Sequence, residues 1–348
     1  MSASTIAPVV PTGVAPARFR ANWVISRRDD LAWFIGSAGI GYLALALMAA
    51  GFPITPIYYL WMLGVDGPHV IATVTRTYFD KQERARLGLW LWMIVPFLLA
   101  GPAMVSIGQA PLFYLFAVCW QHYHIAKQHY GLIMLWKAKA KDRDATDLKL
   151  DRWFLLASTI LPLAIFVAKT RLTAWTFVPA AVSGVQVVYA LFALAYIARQ
   201  THNYRAGVPL NAPKLMLLAV LIPLQWLAFL HAANHGPEGI LRAGITLGLF
   251  HSFQYHRLLW FHNRNRYQVP GASEKYGLAS YFAKDIGYYL LAALGINFLT
   301  GLIPATLFPQ GEWVKAAIWA FPFTHYVLDS KIWRVRGDKE LAATLRLT

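Results

Sequence analysis

Long apolar runs recur in this chain from residue 31 almost to the C-terminus, many of them close to the ~20 residues that carry a helix across a bilayer. In lipid, backbone amides must find their partners inside the protein, so such a chain folds as helices. The expectation is an all-α, polytopic transmembrane bundle of about ten spans. These lie roughly at 31–51, 56–79, 87–106, 111–136, 153–169, 174–198, 214–234, 240–263, 278–303 and 312–333. Only 14% of the residues are charged, where a soluble domain carries about a quarter.

The net charge of +16 would suit a nucleic-acid partner, but its distribution argues against one. Lysines and arginines gather in alternate connections, such as Lys81 to Arg86 and Lys137 to Lys149. The connections "GFPITP", "GPAMVSIGQAP", "NHGPEG" and "IPATLFPQGE" hold none. Lys169 and Arg171 alone break the alternation. By the positive-inside rule both termini are expected in the cytoplasm, with the protein in a bacterial inner membrane. Residues 1–30 lack the apolar core of a signal peptide and read as a mobile tail. Residues 31–335 then form a single membrane domain, and 336–348 a second tail. The run 137–152, "KAKAKDRDATDLKLDR", reads as a solvated connector. The single cysteine, Cys119, excludes a disulfide framework and reads as a packing residue.

Polar side chains inside these spans need an explanation, because ionisable groups in hydrocarbon are costly and are functional suspects. "WQHYHIAKQHYGL", residues 120–132, follows an uncharged run and contains three histidines. Counted from the basic ends at 1.5 Å per residue, His69, His122, His129, His251, His256 and His325 fall in one slab about 10–20 Å deep. His122 and His129, seven apart, share a helix face, whereas His124 points elsewhere and has Gln128 four residues on as a local partner. His251 and His256 are five apart, about 140° round a helix. Asp329 follows His325 by four, the spacing for a carboxylate that orients a ligand imidazole. Asp66 precedes His69 by three, with Gly67 and Pro68 interrupting the helix between them.

Six imidazoles at one depth point to a metal, which offers several neutral imidazoles one shared partner. The candidate ligands are His69, His122, His129, His251, His256 and His325, supported by Asp329, Gln128, Gln254 and His124. Asp66, Arg76 and Tyr255 are the candidate catalytic groups. Arg76, Lys127 and Arg257 suit either the polar end of a substrate or snorkelling towards the interface. His262 falls at the membrane boundary. His231 and His235, despite their HxxxH spacing, fall at the opposite end of their span. An imidazole and carboxylate set without sulfur suits iron, zinc or copper. The expected cofactor is non-haem iron, one or two ions. The expected partners are dioxygen, a lipophilic substrate arriving through the surrounding lipid, and a cytoplasmic electron donor.

"GPHVIATVTRTYFD" (67–80) and "HSFQYH" (251–256) resemble the bacterial Brp/Blh family of retinal-forming β-carotene 15,15′-dioxygenases. The resemblance implies a polytopic fold, histidine-bound iron and an isoprenoid substrate such as a carotenoid. The matching positions are Pro68 with His69, and His251, Ser252 and His256. It covers about thirty of the 348 residues. The late motif carries one inserted residue, and ten spans exceed the family's number. Two other classes remain open from the residues alone. A haem-binding or quinone-linked redox protein needs only two facing histidines, and a metal-ion or proton transporter would use midplane histidines beside a broken helix.

Overall fold

Helix starts in this chain are fixed by short polar side chains that accept from otherwise free amides. Asp80, Asp144, Asn211, Asp285 and Asp338 each accept from a backbone N–H two or three residues on. The computed structural model describes residues 18–309 and 311–347. Among them, ten long helical rods follow one another. They are α1 Arg27–Ala49, α2 54–77, α3 Lys81–Ser106, α4 Ala110–Lys139, α5 Ala145–Arg171, α6 Val178–Arg205, α7 Ala212–Ala232, α8 Gly239–Tyr267, α9 Ile286–Leu307 and α10 312–332. Two short helices, Ala272–Tyr276 and Leu278–Phe282, link α8 to α9, and Lys339–Thr344 closes the chain. The sheet is a single two-residue parallel pair, Phe19–Arg20 beside Leu210–Asn211. The fold is therefore all-α.

Six rods, α1, α3, α5, α6, α7 and α9, are long and apolar enough to cross a membrane. The chain thus has the character of an integral membrane protein. The other four, α2, α4, α8 and α10, are the rods that carry the buried histidines. Their polar content lowers their hydropathy, and they occupy the interior. In α3, α6 and α9 only 6, 11 and 11% of the apolar stretch is buried, so these rods form the periphery. The largest core cluster joins α1, α4, α5, α7 and α8 around Phe34, Trp136, Leu221 and Phe250. On the other side α2 packs against α8, α9 and α10. The α2–α9 approach needs Gly67, where a Cβ would fall 2.2 Å from the Asn297 side chain.

The run 137–152 is an exposed connector only in its middle, at 141–146, and its two ends are packed. Lys137 and Asp151 are both 1% exposed. The Asp151 carboxylate accepts from Lys137 Nζ at 2.7 Å, Lys214 Nζ at 2.9 Å and Tyr196 Oη at 2.7 Å, tying α4, α5, α6 and α7 together. Lys137, Asp144, Asp147 and Asp151 each face a partner on another rod, information that lies outside the run itself. The terminal segments are also held. Residues 1–17 of the expected N-terminal tail lie outside the described residues. Within 18–30, however, Val24 and Asp30 are buried, and Asp30 accepts from Trp136 Nε1 at 2.7 Å and from the Val24 amide at 2.7 Å. At the other end Leu341 and Leu345 enter the main core. Cys119, expected to pack inside, is exposed on the outside of α4.

Removing one member of a buried ion pair strands its partner in a low dielectric. Asp151→Ala leaves the buried Lys214 without a carboxylate and Lys137 with Asp142 alone, and should lower stability by about 3–5 kcal/mol. Detergent-induced unfolding followed by tryptophan fluorescence measures this. A loss within the ~1 kcal/mol of an exposed pair would contradict the lock.

Candidate metal centre

Proline lacks an amide hydrogen and its ring collides with the carbonyl four residues back. At Pro68 the helix α2 meets this by widening into a π-turn over Met62–Asp66 before resuming as an α-helix. The turn leaves the Val65 carbonyl free for a partner outside the helix. His256 supplies it, with Nε2 3.0 Å from Val65 O and Nδ1 2.7 Å from Tyr289 Oη. A carbonyl can only accept, so His256 carries its proton on Nε2 and accepts from Tyr289. Both of its nitrogens are occupied.

The π-turn sets the angle at which His69 leaves α2. There it meets His251 of α8, His325 of α10 and His124 of α4. Each residue presents one ring nitrogen, and these four atoms lie within 4.8 Å of one another. The rings pack edge to face, with centroids at 4.7 Å for His69–His251, 4.5 Å for His69–His325 and 4.8 Å for His124–His325. All four side chains are buried or nearly so.

The nitrogens at the centre lack ordinary partners. His69 Nε2 and both nitrogens of His251 are buried without a hydrogen bond, a costly condition away from water. His325 Nε2 and His124 Nε2 face each other at 3.1 Å. On the far side of the His325 ring, Nδ1 lies 2.7 Å from Thr73 Oγ1. Thr73 donates to Asp329 Oδ1 at 3.1 Å, and Tyr255 Oη donates to the same oxygen at 2.9 Å. With the threonine proton directed to the carboxylate, its lone pairs face His325 Nδ1–H. That tautomer leaves the Nε2 lone pair pointing into the centre. Ser252 Oγ donates to Asp66 Oδ1 at 2.8 Å and lies 3.4 Å from His69 Nδ1, giving His69 a similar outer support. The donor set is thus four imidazoles with hydroxyls and carboxylates behind them, and it could hold a metal ion.

The structure brings His69, His251 and His325 together and separates the other expected ligands from them. His122 turns to α5, its Nε2 2.7 Å from Thr159 O. His129 turns its Nδ1 back to Ile125 O at 2.9 Å and packs on Phe250. His256 is the clamp on the π-turn. His124, expected to be satisfied by Gln128, stands in the centre instead. Gln128 donates to His251 O and to Gln254 Oε1, while Gln254 Nε2 donates to Phe34 O. His122 and His129 do share a face, as their spacing predicts, but that face meets α5 and α7 at His122 and α8 at His129. The opposite face meets α10, where His124 also stacks on Tyr326 at 4.5 Å.

Asp66 and Tyr255 border the centre, and the Tyr255 ring lies 4.5 Å from that of His69. Arg76 does not take the expected catalytic place. It donates to Ile332 O at 2.7 Å and stacks on Trp333, past Asp329 along α10. Arg257 pairs with Asp29, and Lys127 lies over Tyr130. His262 is buried beneath the closing helix against Thr344 rather than interfacial. His231 and His235 stack on each other at 4.1 Å, outside the four-histidine group. Thr73 escaped the sequence reading, although its place four residues after His69 puts it on the same face of α2.

Two cavities adjoin the centre. One of about 490 Å³ ends at Asp66 and Tyr326. The other, of about 180 Å³, reaches His325 and Thr73. Val70, Ile71 and Phe321 line both.

No protein-family model, curated protein or solved structure matches the chain. The site's own geometry therefore supplies the test. His124→Ala should abolish stoichiometric metal retention. Thr73→Val, which removes the group orienting His325, should weaken it by roughly 10–100-fold. His122→Gln, keeping a donor towards Thr159, should retain metal as the parent does. Metal analysis during titration with a competing chelator reads all three, and full retention by His124→Ala would remove His124 from the ligand set.

Proposed function

We propose that the chain is a membrane-embedded, metal-dependent oxygenase that holds non-haem iron at His69, His124, His251 and His325 and acts on a lipophilic substrate. The convergence of four buried imidazole nitrogens beside a largely apolar cavity supports this reading most directly. Four neutral nitrogen ligands without sulfur suit iron, copper or zinc. Of these, iron fits the oxidation of an apolar molecule and the resemblance of the Pro68–His69 and His251–Ser252 segments to the Brp/Blh family. That resemblance is narrowed, since His256, its third matching histidine, stands at the π-turn. The ring-to-ring packing of the four imidazoles leaves no slot for a porphyrin plane, which counts against a haem carrier.

When bound, iron would supply the redox chemistry for reaction with dioxygen. The chain's residues do the rest. Thr73 and Asp329 hold His325 in one tautomer, and Ser252 and Asp66 support His69. Val70, Ile71 and Phe321 keep the space beside the centre apolar and exclude water. The smaller cavity against His325 suits dioxygen. In the same reading all ten rods span a bacterial inner membrane, with the basic connections and both termini in the cytoplasm. A cytoplasmic reductant would then approach from the basic side.

Protein purified in mild detergent should carry about one iron per chain and show no Soret absorption. It should consume oxygen when given lipid extract. His69→Ala should lose iron and oxygen uptake together while keeping its elution volume. Elemental analysis, absorption and an oxygen electrode on one preparation decide it. A colourless, metal-free protein would overturn the reading.

A further inference from the structure

The larger cavity is walled mainly by apolar side chains, with Gln121, His122, Asn297 and Thr300 also on its lining. Among the described residues lining it, the charged side chains are Asp66 at the inner end and Glu312 and Lys315 at the other. Glu312 and Lys315 pair at 2.9 Å and are 53 and 46% exposed, and Tyr114 Oη donates to Glu312. That end is wet and already built from hydrogen-bonding groups. At the inner end Asp66 is 18% exposed, and its carboxylate accepts from Ser252. Val118, Ile125, Leu247 and Phe321 form part of the wall between.

Size narrows the occupant. From Tyr114 to Ile125, both lining residues on α4, is eleven residues, or about 16 Å of helix axis. A methylene takes about the ~30 Å³ of a water in the liquid, so 490 Å³ holds on the order of sixteen. That is room for one hydrocarbon chain. Polarity sets its direction. A chain drawn from lipid gains little hydrophobic energy, because lipid tails are as apolar as the walls. Burying a polar head without partners costs several kcal/mol. The head therefore stays at Glu312, Lys315 and Tyr114.

We infer that the substrate is a single-chain amphiphile bearing one hydroxyl or carboxylate head. It lies in the cavity with the head at Glu312 and Lys315 and the apolar end against Asp66 and Tyr326. Those two residues touch the centre, Asp66 lying 3.8 Å from His69 and Tyr326 stacking on His124. The assignment deepens the proposed oxygenase reading and rests on it for the word substrate, whereas occupancy of the cavity does not depend on iron.

Gly244 of α8 provides a clean obstruction. It lines the cavity, and a Cβ built there meets nothing within 4 Å. A larger side chain thus enters open space, and replacing glycine inside a helix favours the helix. The probes are a long-chain fatty alcohol and a fatty acid, each with a photoreactive diazirine on its terminal carbon. They are offered to the full chain in nanodiscs, with and without prior chelation of metal, and the labelled residues are mapped by mass spectrometry. The expected result is labelling at Ile71, Ile125 or Tyr326. It should fall tenfold or more in Gly244→Phe and by an intermediate factor in Gly244→Leu, with metal content unchanged in both. Lys315→Glu should weaken labelling by the acid more than by the alcohol, identifying which head is preferred. Labelling confined to lipid-facing positions such as Leu99 and Leu191, or labelling indifferent to Gly244→Phe, would overturn the inference. So would labelling of Tyr114 by the terminal diazirine. Inner-end labelling of a protein that binds no metal would keep the cavity assignment and remove the oxygenase. Stoichiometric iron without inner-end labelling would do the reverse.

Discussion

A polar group in hydrocarbon must find its partner within the protein, and this constraint organises the whole bundle. Asp30 collects Trp136 and two backbone amides, and Asp151 collects two lysines and a tyrosine. Gln128 and Gln254 bridge α4, α8 and α1. Each set joins rods that are distant in sequence, so satisfying side chains and choosing neighbours are one process. At the four histidines the same rule is left incomplete. Hydroxyls and carboxylates occupy the outer edges of two rings, while inner nitrogens face one another. An ion at that point would complete the pattern followed elsewhere.

The rods were legible because spans announce themselves by length and hydropathy. Apolar runs near 31–51, 87–106 and 214–234 correspond closely to α1, α3 and α7. The shared level of His69, His251 and His325 was legible too, since rise per residue converts position into distance along a helix. Azimuth was not. His122 and His129 outnumber His124 on α4, and counting favoured the wrong face. What decides the matter is that α5 and α7 offer the Thr159 carbonyl and Phe229 to one face while α10 offers His325 to the other. His256 shows the same limit. Its partner is a backbone carbonyl released by a π-turn in another rod, and no local pattern around 256 records that.

The helix break at Pro68 links these observations. The π-turn frees Val65 O for His256, and Gly67 admits Asn297 of α9 close to the same turn. Two rods, α8 and α9, are therefore fastened to α2 within a few residues of His69. The centre thus sits beside an irregular turn of the backbone that neighbouring rods brace.

The division of the rods into six apolar and four polar carries a consequence for how the chain is made. Strongly apolar helices are retained by lipid as they leave the ribosome and translocon. Those with histidine and aspartate near their middles gain far less from lipid and depend on protein neighbours. The second rod emerges long before the eighth, ninth and tenth, which cover its polar face. During synthesis only the first rod precedes it. The last rod arrives after all its partners and brings His325 with it. The histidine cluster thus closes only when α10 arrives, and a chain truncated before residue 312 would lack His325.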